Sequence, residues 1–327
     1  MFRTLVVPLD GSQLAERPVP YAIRLSQQSA ARLVLVQAVL APPSASLDGA
    51  DWERLQLHAI AQARTYLEGM AGSLSGQVAA VEIATPYGRA TDKILETIDA
   101  FQADGVVMAT HGRTGFDHLL HGSVTEAILA RSSVPVLAVY TRPGEAPPPA
   151  FSPVNARLLV PQDGSDFDSA ALRVALEMLG PRGEIILVTV VAPPEHIVSD
   201  YSGRRVVAYL DQQEEGLKRA AREYLAEVAA PLRKDPMPIS VKVDVRIGDP
   251  VNGISMAAID AQADLIVMAT HARTGINRAV VGSVAGCVLR NACTPVVLVH
   301  PTAPAPPDDA GITEPLAATE VGPIPTF

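Results

Sequence analysis

The chain carries one pattern of residues twice, and this internal duplication limits the folds that are open to it. Residues 109–140 match residues 269–300 without a gap, and an earlier block at 5–12 matches 158–165. Between these blocks the second copy is seven residues longer, and the added residues fall around Pro193 to Arg204. A repeat of this length is far too long for a solenoid, so whole domains have been duplicated.

Two domains of ordinary size account for most of the chain. We expect a first domain at residues 1–142, a proline-rich linker at 143–155, a second domain at 156–301 and a disordered tail at 302–327. The linker opens with closely spaced prolines, which favour an extended spacer. The tail is rich in proline, alanine and acidic residues and has little to bury.

Aliphatic runs alternate with segments of helical spacing in both copies. The first copy predicts strands at 3–9, 32–40, 78–84, 105–109 and 135–140, with helices at 13–29, 51–73 and 89–102; the second predicts strands near 157–162, 184–191, 239–246, 264–269 and 295–300. This alternation predicts an α/β protein with two tandem, doubly wound, five-stranded parallel sheets of Rossmann-like type. A 3-2-1-4-5 strand order, which the sequence alone does not fix, would place strands 1 and 4 side by side at the ligand-binding switch point.

Composition excludes several classes of protein. No apolar run reaches the roughly 18 residues of a membrane helix, and neither copy has the basic excess of a nucleic-acid binder. The chain enters a predicted strand almost at once, which leaves no room for a signal peptide. Its two cysteines, Cys287 and Cys293, are interpreted as buried thiols rather than as a disulfide or a metal site. We therefore expect a cytoplasmic protein without a nucleic-acid or membrane partner.

A glycine-bearing loop and a Gly-Ser step follow the fourth predicted strand of each copy. Gly112 has no Cβ and lets the backbone approach phosphate oxygens, while Gly122-Ser123-Val124 starts a helix whose unpaired amides attract an anion. Ser123 adds a hydroxyl donor and is interpreted as the helix N-cap. The alternative is that Gly112 only makes a turn and Ser123 only caps a helix. The presence of two copies favours the phosphate site.

An aspartate ends the first predicted strand of each copy, Asp10 in the first and Asp163 in the second. A carboxylate at this place can accept hydrogen bonds from ribose hydroxyls or from the amino group of adenine, whereas it would repel phosphate. The alternative is an Asp-Gly-Ser turn that caps the following helix, and both roles can hold together. Gly88 and Gly248-Asp249-Pro250 precede the third helices, where they either line the crevice or simply start a helix.

The spacing Gly-x2-Gly-x9-Gly-Ser after strand 4, with an aspartate closing strand 1, resembles the nucleotide-binding signature of the universal stress proteins, and the resemblance covers both copies. Two departures stand out. The first glycine is Ala109 in one copy and Ala269 in the other, and the second is kept as Gly112 but replaced by Ala272. We expect this last change to weaken the second site without erasing it.

The resemblance also implies what the protein binds and how its copies associate. The ligand is an adenine nucleotide, either ATP or AMP or ADP, with Mg²⁺ as an optional companion. The two final strands are expected to pair, which would make the copies a pseudo-twofold pair within one chain. Homodimer formation is a further option.

The candidate nucleotide-binding residues come from these motifs and from the resemblance. In the first copy they are Pro8, Leu9, Asp10, Gln37, Ala109, His111, Gly112, Arg113, Gly122, Ser123, Val124 and Thr125. In the second copy they are Pro161, Gln162, Asp163, Thr189, Ala269, His271, Ala272, Arg273, Gly282, Ser283 and Val284. The two histidines are expected to structure their loops, and the two arginines either reach a phosphate or remain solvated.

The resemblance implies a stress-response protein that binds ATP in a regulatory role, and the residues favour binding over efficient catalysis. The chain has neither a Walker A motif nor a dinucleotide fingerprint, and no set of serine, histidine and carboxylate recurs in both copies. Slow ATP hydrolysis or phosphotransfer stays open as an alternative, as does a dimerisation scaffold with a vestigial nucleotide site. His111, His118 and His121 cluster in the first copy, but only the first has a counterpart in the second, so no metal site is predicted.

Overall fold

A computed structural model describes residues 2–40, 49–110, 123–140, 150–165, 167–192, 196–199, 205–208, 211–234, 239–270 and 282–300. The first half contains β1 (Thr4–Pro8), α1 (Gln13–Glu16), α2 (Val19–Ser29), β2 (Arg32–Val36), α3 (Gly49–Leu74), β3 (Ala80–Ala84), α4 (Ala90–Ala100), β4 (Gly105–Ala109), α5 (Ser123–Arg131) and β5 (Val136–Val139). The second half contains β6 (Arg157–Pro161), α6 (Asp168–Met178), β7 (Glu184–Val191), β8 (His196–Ser199), β9 (Arg205–Ala208), α7 (Asp211–Arg233), β10 (Ser240–Ile247), α8 (Pro250–Asp260), β11 (Leu265–Ala269), α9 (Ser283–Asn291) and β12 (Val296–Val299).

Ten of these strands form one continuous sheet in the order β10-β7-β6-β11-β12-β5-β4-β1-β2-β3. Each half therefore contributes five strands in the 3-2-1-4-5 order, and these five strands pair only in parallel with one another. The expected doubly wound α/β fold is confirmed. The central strands are aliphatic along their whole length because a parallel sheet with helices on both faces buries both sides of each strand.

The two halves join where β5 meets β12, and this is an antiparallel pair within an otherwise parallel sheet. Leu137 lies opposite Val297, flanked by Val136 opposite Leu298 and by Ala138 opposite Val296. Leu137 and Val297 are equivalent positions of the two copies, so a pseudo-twofold axis passes between them. The expected pairing of the final strands is confirmed, and the pairing covers two aliphatic edges that would otherwise be open.

Helices from both halves cover each face of the sheet. Each face therefore has one hydrophobic core, and each core contains residues from both halves. Alternate residues of a strand point to opposite faces, and β1 shows this: Val7 packs in one core and Val6 in the other. Contacts outside the sheet also join the halves. The ring of Tyr21 lies 6.2 Å from that of Phe151, and Gln28 Nε2 donates to the carbonyl of Met178 at 2.8 Å.

Three local predictions need correction. The helix expected at 13–29 is broken into α1 and α2, because Pro18 lacks the N–H that a continuous helix requires. β2 ends at Val36 instead of continuing to 40, and beyond it only Val39 makes an isolated bridge, to Tyr87. Cys293 is exposed and Cys287 is only partly buried, so the expectation of two buried thiols is wrong, although both are free as expected.

The added residues of the second copy coincide with a small antiparallel hairpin formed by β8 and β9. Most of the predicted linker and all of the predicted tail lie outside the described residues. The described end of the linker is packed, because Phe151 is 2% exposed. Among the helices that the structure describes, none combines the length and apolarity needed to cross a membrane.

Candidate functional site

The carboxyl ends of β1 and β4 lie side by side, which creates a crevice at the switch point of the first half. Register places Leu5 opposite Gly105 and Val6 opposite Val106, so the strand ends at Pro8 and Ala109 are neighbours. β6 and β11 repeat this arrangement in the second half, where Pro161 and Ala269 end the two strands.

The loop after β1 is an Asp-Gly-Ser turn. Asp10 Oδ1 accepts a hydrogen bond from the amide of Ser12 at 2.9 Å, and the Ser12 hydroxyl accepts from the amide of Ala15 at 3.2 Å. Gly11 has φ +78°, a left-handed conformation that favours glycine. The turn-and-cap alternative is therefore correct as local geometry. It engages one oxygen of the Asp10 carboxylate, which leaves the other able to accept from a ligand.

The loop after β6 has the same turn but a different support. Asp163 Oδ1 accepts from the amide of Ser165 at 2.9 Å, and Gly164 has φ +83°. In addition, Oδ2 of Asp168 accepts from the amides of Asp163 and Gly164, at 2.9 and 2.8 Å, and from the Tyr224 hydroxyl at 3.1 Å. The Asp168 carboxylate at the start of α6 thus stabilises the loop after β6 through hydrogen bonds to its backbone.

Among the described residues, Asp168 is the carboxyl group whose pKa is displaced most. Burial, and then the negative charge of Asp163, raise the pKa of Asp168 to about 7, while the hydrogen bonds from the two amides and from Tyr224 act in the opposite direction. Burial, and then the charge of Asp168, also raise the pKa of Tyr224. In the first half the matching tyrosine, Tyr66, donates instead to Glu16 at 2.8 Å.

Gln37 and Thr189 occupy equivalent positions, since each comes directly after the residue that lies opposite the end of the first strand, Val36 opposite Pro8 and Val188 opposite Pro161. Gln37 follows β2, and its amide donates to the carbonyl of Ala84 at 3.0 Å. Thr189 lies within β7, and its hydroxyl donates to the carbonyl of Gln162 at 2.9 Å. Both residues therefore border the end of the first strand of their half.

The helix that follows the glycine-bearing loop begins against the end of strand 4. The Thr125 hydroxyl of α5 donates to the carbonyl of Ala109 at 3.1 Å and ties the helix start to β4. In the second half Gly282 caps α9 without a side chain, and the first backbone bond runs from Gly286 to Gly282 at 2.8 Å. The amides before Gly286 are therefore the donors that a helix start leaves open to an anion.

The capping prediction needs correction at this point. Ser123 and Ser283 are the first residues of α5 and α9, so they follow the cap rather than form it. In α9 the cap is Gly282, half-buried, and Ser283 is exposed, next to a half-buried Val284.

The residues of the glycine-bearing loops were candidate ligands of the phosphate. His111, Gly112, Arg113 and Gly122 lie outside the described residues, as do His118 and His121, and so do His271, Ala272 and Arg273. In the part of the chain that is described, no group of three or more His, Cys, Asp and Glu side chains could hold a metal ion.

The helix-start interpretation of Gly248-Asp249-Pro250 holds in the structure. Asp249 caps α8, since its Oδ1 accepts from the amide of Asn252 at 2.9 Å, and Pro250 is the first helical residue. Gly88 and Gly248 both have positive φ, at 143° and 125°.

Sequence reasoning missed Asp168 and Tyr224. The candidate residues were chosen because they recur in both copies, and Asp168 does not recur, since the first copy has Ala15 at the equivalent position. The usable signal was a carboxylate in the first turn of a helix just after a glycine turn, where free amides are available.

Comparison with known proteins settles the family. The model of the universal stress protein family matches residues 1–140 and 155–300. The chain belongs to the universal stress protein family. This universal stress protein is 29% identical over 200 residues to one from Mycobacterium tuberculosis, a match that covers 61% of the chain and 62% of that protein. The chain thus spans about three fifths of the length of that relative.

Solved universal stress proteins agree with the fold. The crystal structure of one from Archaeoglobus fulgidus covers 91% of this chain and 98% of its own, with a TM-score of 0.67 and 18% identity. Another has been solved in complex with cAMP; it is 26% identical and covers 43% of this chain and 99% of its own, with a TM-score of 0.34. The first likeness supports the tandem fold.

Proposed function

We propose that this universal stress protein binds an adenine nucleotide, ATP foremost and with Mg²⁺ as an optional companion, in the crevice between β1 and β4. The observation that carries the proposal is the 3.1 Å hydrogen bond from Thr125 to the carbonyl of Ala109. It holds the start of α5 against the end of β4, one strand away from Asp10. A phosphate at the helix start and a ribose near Asp10 can belong to one ligand.

Membership of the family supports this ligand class. The cAMP complex concerns another universal stress protein, and its ligand is an adenine nucleotide. We infer the same class of ligand here because the aspartate that closes β1 and the Gly-Ser step before α5 are both present. We also infer a cytoplasmic location, which the two free cysteines support, and domain boundaries at 142 and 156.

The role that we infer is binding that regulates, not efficient hydrolysis. Within the described residues, the first crevice is bordered by the start of α5 and by the Asp10 carboxylate, one oxygen of which is engaged in its own turn. General-base catalysis needs a proton acceptor poised near neutral pH, and these groups suit the binding of a nucleotide better than proton transfer.

We infer that the second crevice binds more weakly than the first. Its helix start lacks the tie to strand 4, because Ala285 stands where the first half has Thr125. Its loop also has Ala272 in place of Gly112, and the added methyl restricts both the approach of phosphate and any positive φ.

Two measurements test the proposal. Mass spectrometry of the small molecules released from freshly purified, denatured protein identifies the nucleotide that it carries. Calorimetric titration of the stripped full-length chain with ATP then compares Gly112→Val with wild type. A branched side chain where phosphate approaches should remove the tighter binding event and leave the fold intact.

The matched control is Gly72→Val on α3, where an added Cβ would meet no atom within 4 Å. This variant should bind ATP as wild type does. Unchanged ATP affinity in a folded Gly112→Val variant would refute the phosphate-loop assignment. Hydrolysis of many ATP molecules per wild-type chain at the rate of an ordinary enzyme would refute the regulatory role instead.

A further inference from the structure

The outer side of β10 is an open edge of the sheet. β10 is the last strand in the sheet order, and within the described part of the chain no strand pairs with its outer side. It has eight residues, Ser240–Ile247, whereas the edge strand at the other end of the sheet, β3, has five. A long edge presents a row of unpaired amides and carbonyls to which another strand can bond.

One hydrogen bond shows which backbone groups of β10 point outward. The amide of Gly248 donates to the carbonyl of Val191 in β7 at 3.0 Å, and the register between β10 and β7 is unbroken. Because successive residues of a strand direct their backbone groups to opposite sides, those of Val241, Val243 and Val245 point away from β7. The Val241 carbonyl accordingly accepts from an exposed guanidinium of α7 at 3.2 Å.

The side chains of this edge separate into an apolar face and a charged face. Val241 and Val245 pack partly against the core, and Val243 between them is 38% exposed. Lys242 and Asp244 alternate with these valines and therefore lie on the opposite face. The Lys242 side chain is 66% exposed, and Asp244 uses Oδ2 to bond the guanidinium two residues later.

This arrangement is complementary to itself when a second β10 runs antiparallel and is centred on Val243. The outward groups of Val243 then bond to those of Val243 in the second copy, and Val241 pairs with Val245 in the same way. On the charged face Lys242 lies opposite Asp244 of the second copy, and the twofold axis repeats this pair. Opposite charges in such cross-strand pairs stabilise a sheet. Centring the pair on Asp244 would instead oppose two carboxylates.

The opposite edge of the sheet lacks this complementarity. β3 has one charged residue, Glu82, whose carboxylate bonds to Arg32 at 2.8 Å. Two copies of β3 therefore cannot form pairs of opposite charge. The strands β5 and β12 are paired within the chain and present no edge to a second copy.

The helix next to β10 is also apolar on its exposed side. The ion pair between Arg246 and Asp260, at 2.8 Å, joins α8 to β10. Met256 and Ile259 of α8 are 49% and 56% exposed, whereas the matching positions of α4 carry acidic residues. Two copies of α8 can therefore approach each other beside paired β10 strands without repulsion between like charges at these two positions.

We propose that two copies of the chain form a homodimer through antiparallel pairing of their β10 strands about a twofold axis at Val243. The pairing joins the two sheets into one and covers the apolar face of the edge. It displaces the exposed side chain of Arg233 from the Val241 carbonyl, and Lys242 exchanges its bond to Glu184 for one to Asp244 of the second copy. The residues of β10 are not among the candidate nucleotide-binding residues, so this inference is independent of the proposed function.

Sedimentation velocity of the full-length chain over a range of concentrations tests the dimer. Wild type should form dimers that dissociate on dilution. Val243→Pro removes an outward amide that β7 does not use, and an edge strand tolerates proline at such a place. It should raise the dissociation constant of the dimer about tenfold or more, while circular dichroism shows an intact fold. Val243→Thr keeps the amide and the branched shape and should dimerise as wild type does.

Three results of this experiment would overturn the proposal. The first is a wild-type chain that stays monomeric at every concentration, and the second is a folded Val243→Pro variant that dimerises as tightly as wild type. The third is an assembly larger than a dimer, because continued growth requires β10 to pair with a different edge, such as β3.

Disulfide trapping tests the register separately, in a chain that carries Cys287→Ser and Cys293→Ser. The twofold axis places the two copies of residue 243 about 5.5 Å apart at Cα, within the reach of a disulfide. Val243→Cys should therefore form a covalent dimer under mild oxidation. Ile83→Cys makes the matching change on β3 and should stay monomeric. Absence of the Val243→Cys dimer, or equal trapping of Ile83→Cys, would contradict pairing through β10.

Discussion

The carboxyl group of Asp168 should make the stability of the protein depend on pH, and Asp168→Asn isolates the effect. Burial and the charge of Asp163 raise the pKa of this group from 3.8 to about 7 in the folded state. The folded chain therefore holds the Asp168 proton more tightly than the unfolded chain does. The resulting stability is fully present below about pH 4 and is lost as pH rises to about 7 and beyond.

The size of the effect follows from the shift. About three pKa units at about 1.4 kcal/mol each amount to about 4 kcal/mol. Asparagine is neutral at every pH and can still accept hydrogen bonds from the two amides and from Tyr224. At pH 8 the free energy of unfolding of Asp168→Asn should therefore exceed that of wild type by up to about 4 kcal/mol. At pH 4 the two free energies of unfolding should be equal.

Urea unfolding followed by circular dichroism at pH 4, 5.5, 7 and 8.5 measures the difference. Asp163→Asn is the matched companion: it keeps the oxygen that accepts from Ser165 but removes the like charge, so it should move the transition to lower pH. A difference between Asp168→Asn and wild type that is the same at pH 4 and pH 8 would refute the titration argument. Lower stability of Asp168→Asn at pH 8 would refute it more directly.

Two further predictions concern the seam and the second crevice. Leu137→Ala should lower the free energy of unfolding by about 2–5 kcal/mol, because the side chain is 3% exposed. In a double-mutant cycle measured by urea unfolding, the effects of Leu137→Ala and Val297→Ala should not add, since the two residues face each other across the seam. Strict additivity would contradict this register. Ala272→Gly should tighten the weaker ATP-binding event about tenfold in calorimetry, and an unchanged affinity would show that the alanine is no obstacle.

The strands could be predicted well from the sequence because each is an aliphatic run bounded by turn residues, and the duplication supplied two examples of each. β4 lies where it was predicted, at 105–109, and β7 at 184–191. The prediction of one helix at 13–29 was wrong because the apolar spacing continues through Pro18, whereas a helical backbone is interrupted by proline. The position of Asp168 in the first turn of a helix was visible in the sequence, but its set of three donors is brought together only in the folded chain.

Helices α5 and α9 show a second limit of prediction from the sequence. The Gly-Ser step located the start of α5 and α9 to within a residue, yet it did not show which of the two residues would cap the helix. Serine is the better capping side chain in general, but a cap without a side chain leaves the first-turn amides of the helix uncovered. The general preference for a serine cap is therefore not followed in α9.

The antiparallel seam determines which way the two crevices face. Strands of the first half run opposite to those of the second, so their carboxyl ends emerge at opposite rims of the ten-stranded sheet. The molecule consequently has two poles, one with Asp10 and the other with Asp163. A surface that covers one pole therefore leaves the other exposed to solvent.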